Sequence, residues 1–353
     1  MTADVTVPRA DLARMVRAVE PTWELTAATA AERGFTAVHR ATVDADDGRR
    51  QVVLKATPDG EPHGIPTEAR LLTLLGRRTS IPVPGVLGAV DEHDELTAPF
   101  FVMDAVAGTA RQYPETRHLP DAVLRRVARQ TGGDLGELHA IDAVDAFGPV
   151  RYDREMALDG GRPTPTVDRV GVDEPHADWA ASLRAMADRE LDGLESGRFA
   201  DLGTVVRETI EDHIESLAGP FDPVLGRIDH GVHNLLVAPE TGDIEAVIDW
   251  GFTLAVTRGY DLATVEWVLS GAVLAGLPDP DDRRALVVDA LTAGYRETAD
   301  YPADELADAG SLYALLAAVR AMNHLEAGLA KIPAGTDESV AAWLRAEVGR
   351  HLE

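Results

Sequence analysis

The sequence predicts an α+β chain in two lobes, a small N-terminal antiparallel sheet lobe with one helix and a larger helical C-terminal lobe. Three observations lead there. Between residues 36 and 104, short runs of β-branched and aromatic residues alternate with turn signals. Beyond Gly108 apolar residues recur at helical spacing almost to the end. The chain has 353 residues, more than one compact core usually organises. The lobes are expected at 1–105 and 106–353.

Residues 1 to 20 read as a helical lead-in, with Leu12, Met15, Val16 and Val19 at helical spacing. TAVHRATV (36–43) and QVVLKA (51–56) are β-rich runs, and the Asp47-Gly48 pair between them signals a hairpin. Just ahead, the loop Arg33-Gly34-Phe35-Thr36-Ala37 has the form of a turn whose backbone amides cover a phosphate. Pro66 suits the first turn of a helix that carries Glu68, Leu71, Leu72 and Leu75. VLGAV and FFVMDAVAG (100–108) follow as two more strands.

In the second lobe, Pro120 starts a helix marked by Val123, Leu124, Val127, Thr131, Leu135 and Leu138. Residues 151–178 are rich in Gly, Pro and Asp without a period and are expected to form a long loop. Helical patterns resume at Trp179–Leu194, Val205–Leu217, Leu262–Val273, Arg284–Tyr295 and Leu312–Leu329.

Composition removes whole classes of function. There is no cysteine, so disulfides, thiolate zinc sites and a cysteine nucleophile are excluded. A net charge of -27 argues against a nucleic-acid partner, which needs a basic face. No apolar run is long enough for a membrane span. Asp4 and Asp11 sit in an opening stretch without an apolar core, so no secretory signal is expected and the location is expected to be cytoplasmic. Of the 33 basic residues only Lys55 and Lys331 are lysines. That acidic, lysine-poor surface resembles proteins of a high-salt cytoplasm.

Chemistry concentrates in residues 225–251, LGRIDHGVHNLLVAPETGDIEAVIDWG. Asp229 precedes Asn234 by five positions, and Asp249 ends the apolar run EAVID beyond a turn at Pro239–Gly242. Alone, Asp229 and Asn234 also fit ordinary turn and cap chemistry. Asp249 adds a second carboxylate, which the hairpin is expected to carry back beside Asn234. Magnesium takes hard oxygen ligands and usually one or two carboxylates, a demand that Asp249 and the Asn234 amide oxygen meet. Asp229 then remains to accept a hydrogen bond from a substrate hydroxyl. Phosphoryl transfer through a loose transition state needs positioning more than a strong base. The cation for a triphosphate is Lys55, which ends the strand VVLK and is expected to pair with Glu68.

With these residues in place, the chain resembles the aminoglycoside phosphotransferase family, which includes choline kinase-like enzymes and has a bilobal protein-kinase-like fold. The resemblance runs from about residue 20 to 330. GFTAVHRATV resembles its nucleotide loop, VVLK its lysine strand, EARLLTLL its glutamate helix, FFVMDAVAG its hinge, LGELHAID its leucine-histidine helix end and IDWGF its metal aspartate. It implies Asp229 as catalytic aspartate, Asn234 and Asp249 as magnesium ligands, and Asp261 as a structural aspartate. It further implies nucleotide contacts from Lys55, Glu68, Gly34, Phe35 and Thr36, with the backbone of Met103, Asp104 and Val106 along the adenine. The implied reaction transfers the γ-phosphate of ATP or GTP to a hydroxyl of a small-molecule acceptor. Two stretches depart from the family pattern. Arg227-Ile228 replaces the usual His-Gly before the aspartate, and Gly231-Val232-His233 stands where His-Pro-Gly is common.

Other readings fit parts of the pattern. His230 and His233 beside Asp229 suit a zinc or two-metal hydrolase. The altered Arg227-Ile228 fits a catalytically weak or inactive nucleotide-binding pseudo-kinase that acts as an interaction module. A protein-serine kinase lacks room for a long activation segment between Asp249 and the helix at Leu262. His139 reads as a hydrogen-bonded packing histidine.

Overall fold

The computed structural model describes residues 7–31, 36–57, 59–110, 118–152, 158–159, 162–163, 169–272, 276–277, 283–325 and 336–352. In chain order the elements are α1 (Arg9–Val19), β1 (Glu24–Ala30), β2 (Ala37–Ala45), β3 (Gly48–Ala56), α2 (Ile65–Arg78), β4 (Val86–Val90) and β5 (Phe100–Asp104). Then come α3 (Asp121–His139), β6 (Gly148–Arg151), β7 (Leu158–Asp159), β8 (Arg162–Pro163), β9 (Gly171–Val172), α4 (Trp179–Ser196) and α5 (Gly203–Ser216). The last group is β10 (Val224–Gly226), β11 (Leu235–Val237), β12 (Ile244–Val247), β13 (Leu254–Val256), α6 (Arg258–Ser270), α7 (Arg284–Thr298), α8 (Ala303–Asn323) and α9 (Asp337–Gly349). The chain divides into two units, one of Met1–Gly108, Val150–Asp173 and Glu245–Thr253, the other of Thr109–Pro149, Glu174–Ile244 and Leu254–Glu353.

In the first unit, five antiparallel strands form a sheet in the order β1-β2-β3-β5-β4. The β2–β3 turn is Asp46-Asp47, and Gly48 opens β3 opposite Ala45 with φ +119°, a value that L side chains resist. Alternation along β3 sorts its side chains. Val52, Leu54 and Ala56 join Phe100 and Val102 in a core sealed by Leu12, Met15, Val16 and Val19 of α1. The expected lead-in helix is therefore a cover for the sheet. Val53 and Lys55 point to the opposite face, because successive side chains of a strand alternate. That inversion is what carries Lys55 towards α2.

The expected loop 151–178 holds short strands. Val150 and Arg151 pair with Val172 and Gly171, and β7 pairs with β8. Their runs are too short to show a period. Strand β1 was not visible in the sequence either, since ELTAATA is mostly small or polar and only one of its edges is paired.

The second unit is helical around a small antiparallel group in which β13 pairs with β10 and with the Gly148–Pro149 end of β6. Its core centres on Trp179, whose ring lies 5.2 Å from both Phe147 and Tyr260 and whose Nε1 donates to the Tyr313 hydroxyl at 3.0 Å. Helices α3 and α7 approach backbone to backbone. A Cβ on Gly132 would fall 2.1 Å from the Leu291 carbonyl oxygen, and one on Gly294 would fall 1.8 Å from that of Arg129. Such an approach brings the C-terminal half of α3, including His139, against Tyr295. Among the described residues no helix is long and apolar enough to cross a membrane.

Asp134 on α3 has a buried Oδ2 without a hydrogen-bond partner. Burial, with some repulsion from Glu137, pushes its carboxyl up to about 7. Since its ordinary pKa is about 3.9, the folded chain holds this proton more tightly than the unfolded chain does. Stability is therefore lost as pH rises from about 4 to 7. Asp134→Asn is expected to be more stable than the parent by about 2 kcal/mol at pH 8 and little changed at pH 4, read from denaturant midpoints at both pH values.

Candidate functional site

In the first unit Lys55 is the hub. Its Nζ donates to Glu68 Oε2 at 2.5 Å and to Asp249 Oδ1 at 2.8 Å. Lys55 and Glu68 are buried, whereas the Asp249 side chain is 46% exposed. Burial opposes a charge on Lys55, but the attraction of Glu68 and Asp249 outweighs it and holds the ammonium above its ordinary pKa. A permanently charged lysine thus sits below a half-open carboxylate.

The backbone explains how these three groups meet. Glu68 stands in the first turn of α2, whose N-cap is Gly64 with φ +76°. Gly64 lies against Gly251: a Cβ on Gly64 would fall 2.3 Å from the Gly251 carbonyl oxygen. That approach presses the Asp249-Trp250-Gly251 turn onto the start of α2, where the Trp250 N–H donates to Glu68. Trp250 is buried and its Nε1 donates to the Val247 carbonyl at 3.0 Å. Asp249 itself has φ +63°. A non-glycine residue held in this region costs on the order of 1–3 kcal/mol and persists where its surroundings impose it, as at functional sites.

The second unit carries Asp229 and Asn234 on a loop that follows β10. Asn234 Nδ2 donates to the Asp229 carbonyl at 2.9 Å and to its Oδ2 at 3.3 Å. With the nitrogen end committed, the oxygen end of the Asn234 amide is the one able to face a cation. His233 Nε2 lies 3.3 Å from Asp229 Oδ1. Burial would raise the Asp229 pKa, but His233, then Arg227 and Arg320, hold the carboxyl well below the usual carboxylate range. Asp229 is a hydrogen-bond acceptor at any working pH.

Behind this loop, fully buried Asp261 accepts the Arg227 N–H at 2.7 Å and bonds His139 Nε2 at 3.0 Å, while His139 Nδ1 meets the Tyr295 hydroxyl at 2.9 Å. His139 is thus a packing histidine, as its sequence suggests. Because the Asp261 contact uses a main-chain N–H, it is open to any residue but proline at position 227, arginine included. His230 is buried against Thr131 of α3 at 3.2 Å, and burial, with the nearby Arg227 charge, drops its pKa well below the ordinary value.

The two histidines of the loop therefore turn to different partners, which removes the geometry of a zinc centre. Among the described residues no three His, Asp or Glu side chains converge as a metal cluster. Of the expected nucleotide loop, Gly34 and Phe35 lie outside the described residues, and Thr36 is the bend entering β2. Met103 is in β5, and Asp104 donates its N–H to the Gly85 carbonyl at 2.9 Å while its Oδ1 accepts from Arg50 Nη2 at 2.6 Å. Asp104 can therefore offer a nucleobase its carbonyl but not its amide. Half-buried Val106 follows the strand. Gly64 was not anticipated as part of the site, and His233 was anticipated only as a ligand in the zinc reading, with the exchange of His-Pro-Gly for Gly231-Val232-His233 as a further signal.

A family model described as the phosphotransferase enzyme family matches residues 29–306. A curated plant protein, the probable acyl-CoA dehydrogenase IBR3 of Arabidopsis thaliana, is 28% identical over 109 residues; the match covers 30% of this chain and only 13% of that protein. Among solved structures, a thermostable mutant of the aminoglycoside phosphotransferase APH(4)-Ia is similar with a TM-score of 0.61 at 17% identity, over 97% of this chain and 100% of that one. The amicoumacin kinase hAmiN in complex with AMP-PNP, Ca2+ and Ami gives 0.61 at 13% identity, over 98% and 94%. An aminoglycoside phosphotransferase complexed with GDP and kanamycin gives 0.58 at 15% identity, over 97% and 99%. The expected α+β kinase-like fold is thereby shown.

Two positive-φ glycines, Gly64 beside the Asp249 turn and Gly48 away from it, give a graded test of how tightly that turn is held. Gly64→Ala adds a backbone clash to an unfavourable φ, whereas a Cβ on Gly48 has nothing within 4 Å. Gly64→Ala is expected to lower stability by about 3 kcal/mol and Gly48→Ala by about 1 kcal/mol, with the thermal midpoints ranked accordingly.

Proposed function

The chain belongs to the phosphotransferase enzyme family, and from that premise we propose that it transfers the γ-phosphoryl group of ATP or GTP to a hydroxyl of a small-molecule acceptor. The observation that carries this reading is the Lys55 ammonium held between Glu68 and a half-exposed Asp249 on a left-handed backbone. In this pair the Asp249 carboxylate stays half-exposed while its backbone occupies a region that L residues rarely adopt.

The donor set suits magnesium: an exposed carboxylate at Asp249 and an amide oxygen at Asn234 are hard ligands in the small number that this ion takes from protein. When bound, magnesium supplies neutralisation of the phosphate oxygens. Glu68 keeps the Lys55 ammonium aimed, and Lys55 offers that charge to the phosphates in the water-poor site where it is strongest. The segment entering β2 at Thr36 is assigned to the phosphates, and Met103, Asp104 and Val106 to the base. Asp229 accepts a hydrogen bond from the acceptor hydroxyl and orients its oxygen for in-line attack. As that oxygen's bond to the γ-phosphorus forms, the bond from that phosphorus to the bridging oxygen breaks and the nucleoside diphosphate leaves, while the hydroxyl proton passes to Asp229; a loose transition state asks little of the base, so a carboxylate of low proton affinity suffices.

The sheet unit is assigned the nucleotide and the helical unit the acceptor. The solved relatives carry kanamycin or an amicoumacin ligand; for this chain the acceptor is a hydroxylated small molecule, to be sought among sugars, amino alcohols and aminoglycosides. Magnesium dependence, a cytoplasmic location and a high-salt medium complete the reading, the last from the charge of -27 with lysine nearly absent.

Asp249→Ala should abolish magnesium-dependent nucleotide turnover while the far-ultraviolet spectrum is unchanged, measured with labelled ATP and an acceptor panel. Retained turnover would contradict the metal assignment. Loss of nothing in Asp229→Asn, together with magnesium-dependent ATP binding, would favour the interaction-module reading. If the acidic surface is adapted to salt, the thermal midpoint should rise steadily as KCl is raised to molar levels, since salt screens the self-repulsion of the chain.

A further inference from the structure

Resting on the phosphotransferase reading, we propose that His233 is a positioning residue that, with Asn234, clamps both oxygens of the Asp229 carboxylate and so fixes the side from which it receives the acceptor hydroxyl. The contacts are complementary: His233 Nε2 is 3.3 Å from Oδ1, and Asn234 Nδ2 is 3.3 Å from Oδ2. A carboxylate has about four lone-pair sites. The imidazole nitrogen and the Asn234 amide, both from its own loop, therefore flank the two oxygens and leave the remaining sites on the exposed side, where the Asp229 side chain is 49% accessible.

Three features hold the ring in that place. The 3-10 turn Val232–Asn234, closed by the Asn234 N–H to the Gly231 carbonyl at 2.9 Å, brings position 233 back over position 229. Gly231 lies flat against the imidazole, since a Cβ there would come within 2.5 Å of His233 Cε1 and Nδ1. His233 Nδ1 is buried without a hydrogen-bond partner. An orphaned N–H costs more than an unused lone pair on an aromatic nitrogen, so the proton belongs on Nε2, facing Asp229. Asp229 itself is bracketed by anchored neighbours, the Arg227 N–H on Asp261 and His230 on Thr131. Arg227 and Arg320 add positive charge around Asp229. Gly231 and His233 act as a pair: one makes room for the ring that the other supplies.

The test uses the full chain with magnesium and ATP, taking water as the acceptor and reading release of inorganic phosphate. His233→Leu removes the donor at similar size, and His233→Gln restores an N–H. His233→Leu is expected to lower kcat by about tenfold to hundredfold, as loss of a positioning contact does, with the KM for ATP within about twofold. His233→Gln should recover most of the lost turnover. Unchanged kcat in His233→Leu, or an equal fall in His233→Gln, would overturn the proposal and leave the ring as packing alone. Nitrogen-15 NMR of the His233 ring decides the clamp without turnover: a proton on Nε2 whose shift moves in Asp229→Asn supports it, and a proton on Nδ1 overturns it. If Asp229→Asn hydrolyses ATP as fast as the parent, the phosphotransferase reading has failed, and the ring spectrum still reports on the clamp.

Discussion

A buried ammonium sets the terms for the sheet unit. Lys55 must be compensated wherever it is dry, because an uncompensated charge in a protein interior costs several kcal/mol. Its two partners come from segments far apart in sequence, Glu68 from α2 and Asp249 from the returning segment Glu245–Thr253. Closing the pair therefore ties strand, helix and return segment into one arrangement. Such an ion pair is weak evidence for stability, since packed hydrophobic residues can do as well. Its value here is specificity: it defines where one charge, and one open carboxylate, will stand.

The remaining constraints in the site are backbone constraints. Gly64 and Gly251 touch where a side chain would not fit, Asp249 is left-handed, and Trp250 anchors the turn by its indole and its N–H. In the helical unit the same role falls to Asp261, which holds a main-chain amide of the Asp229 loop and, through His139, links it to Tyr295 on α7. In both units the carboxylates, Asp249 and Asp229, are half-exposed, and Lys55, Trp250, Asn234 and Asp261 behind them are buried. That division is what preorganisation calls for: the supporting groups are packed and the side chains they place stay accessible to a ligand.

Much of this was legible in the sequence. The β2–β3 hairpin, α2 with Pro66 in its first turn and α3 beginning after Pro120 follow from turn and cap chemistry. Lys55 and Glu68 were readable because lysine is almost absent from the chain. Strand β1 was not, because alternating Ala and Thr carries little apolar signal, and β7 to β9 were not, because two residues hold no period. The direct bond from Lys55 to Asp249 and the His233 contact depend on long-range or turn geometry that no spacing rule encodes. The departure at Arg227-Ile228 looked more consequential than it is for the loop's attachment, since Asp261 reads the backbone there.

The central claim is that Lys55, aimed by Glu68 and Asp249, exists to meet phosphate. Calorimetric titration of the parent chain and Lys55→Met with magnesium-ATP and, separately, with adenosine tests it most directly. The account predicts that Lys55→Met weakens magnesium-ATP by about tenfold or more and leaves adenosine nearly unchanged. Equal affinity of the two proteins for magnesium-ATP, or an equal loss for both ligands, would contradict it.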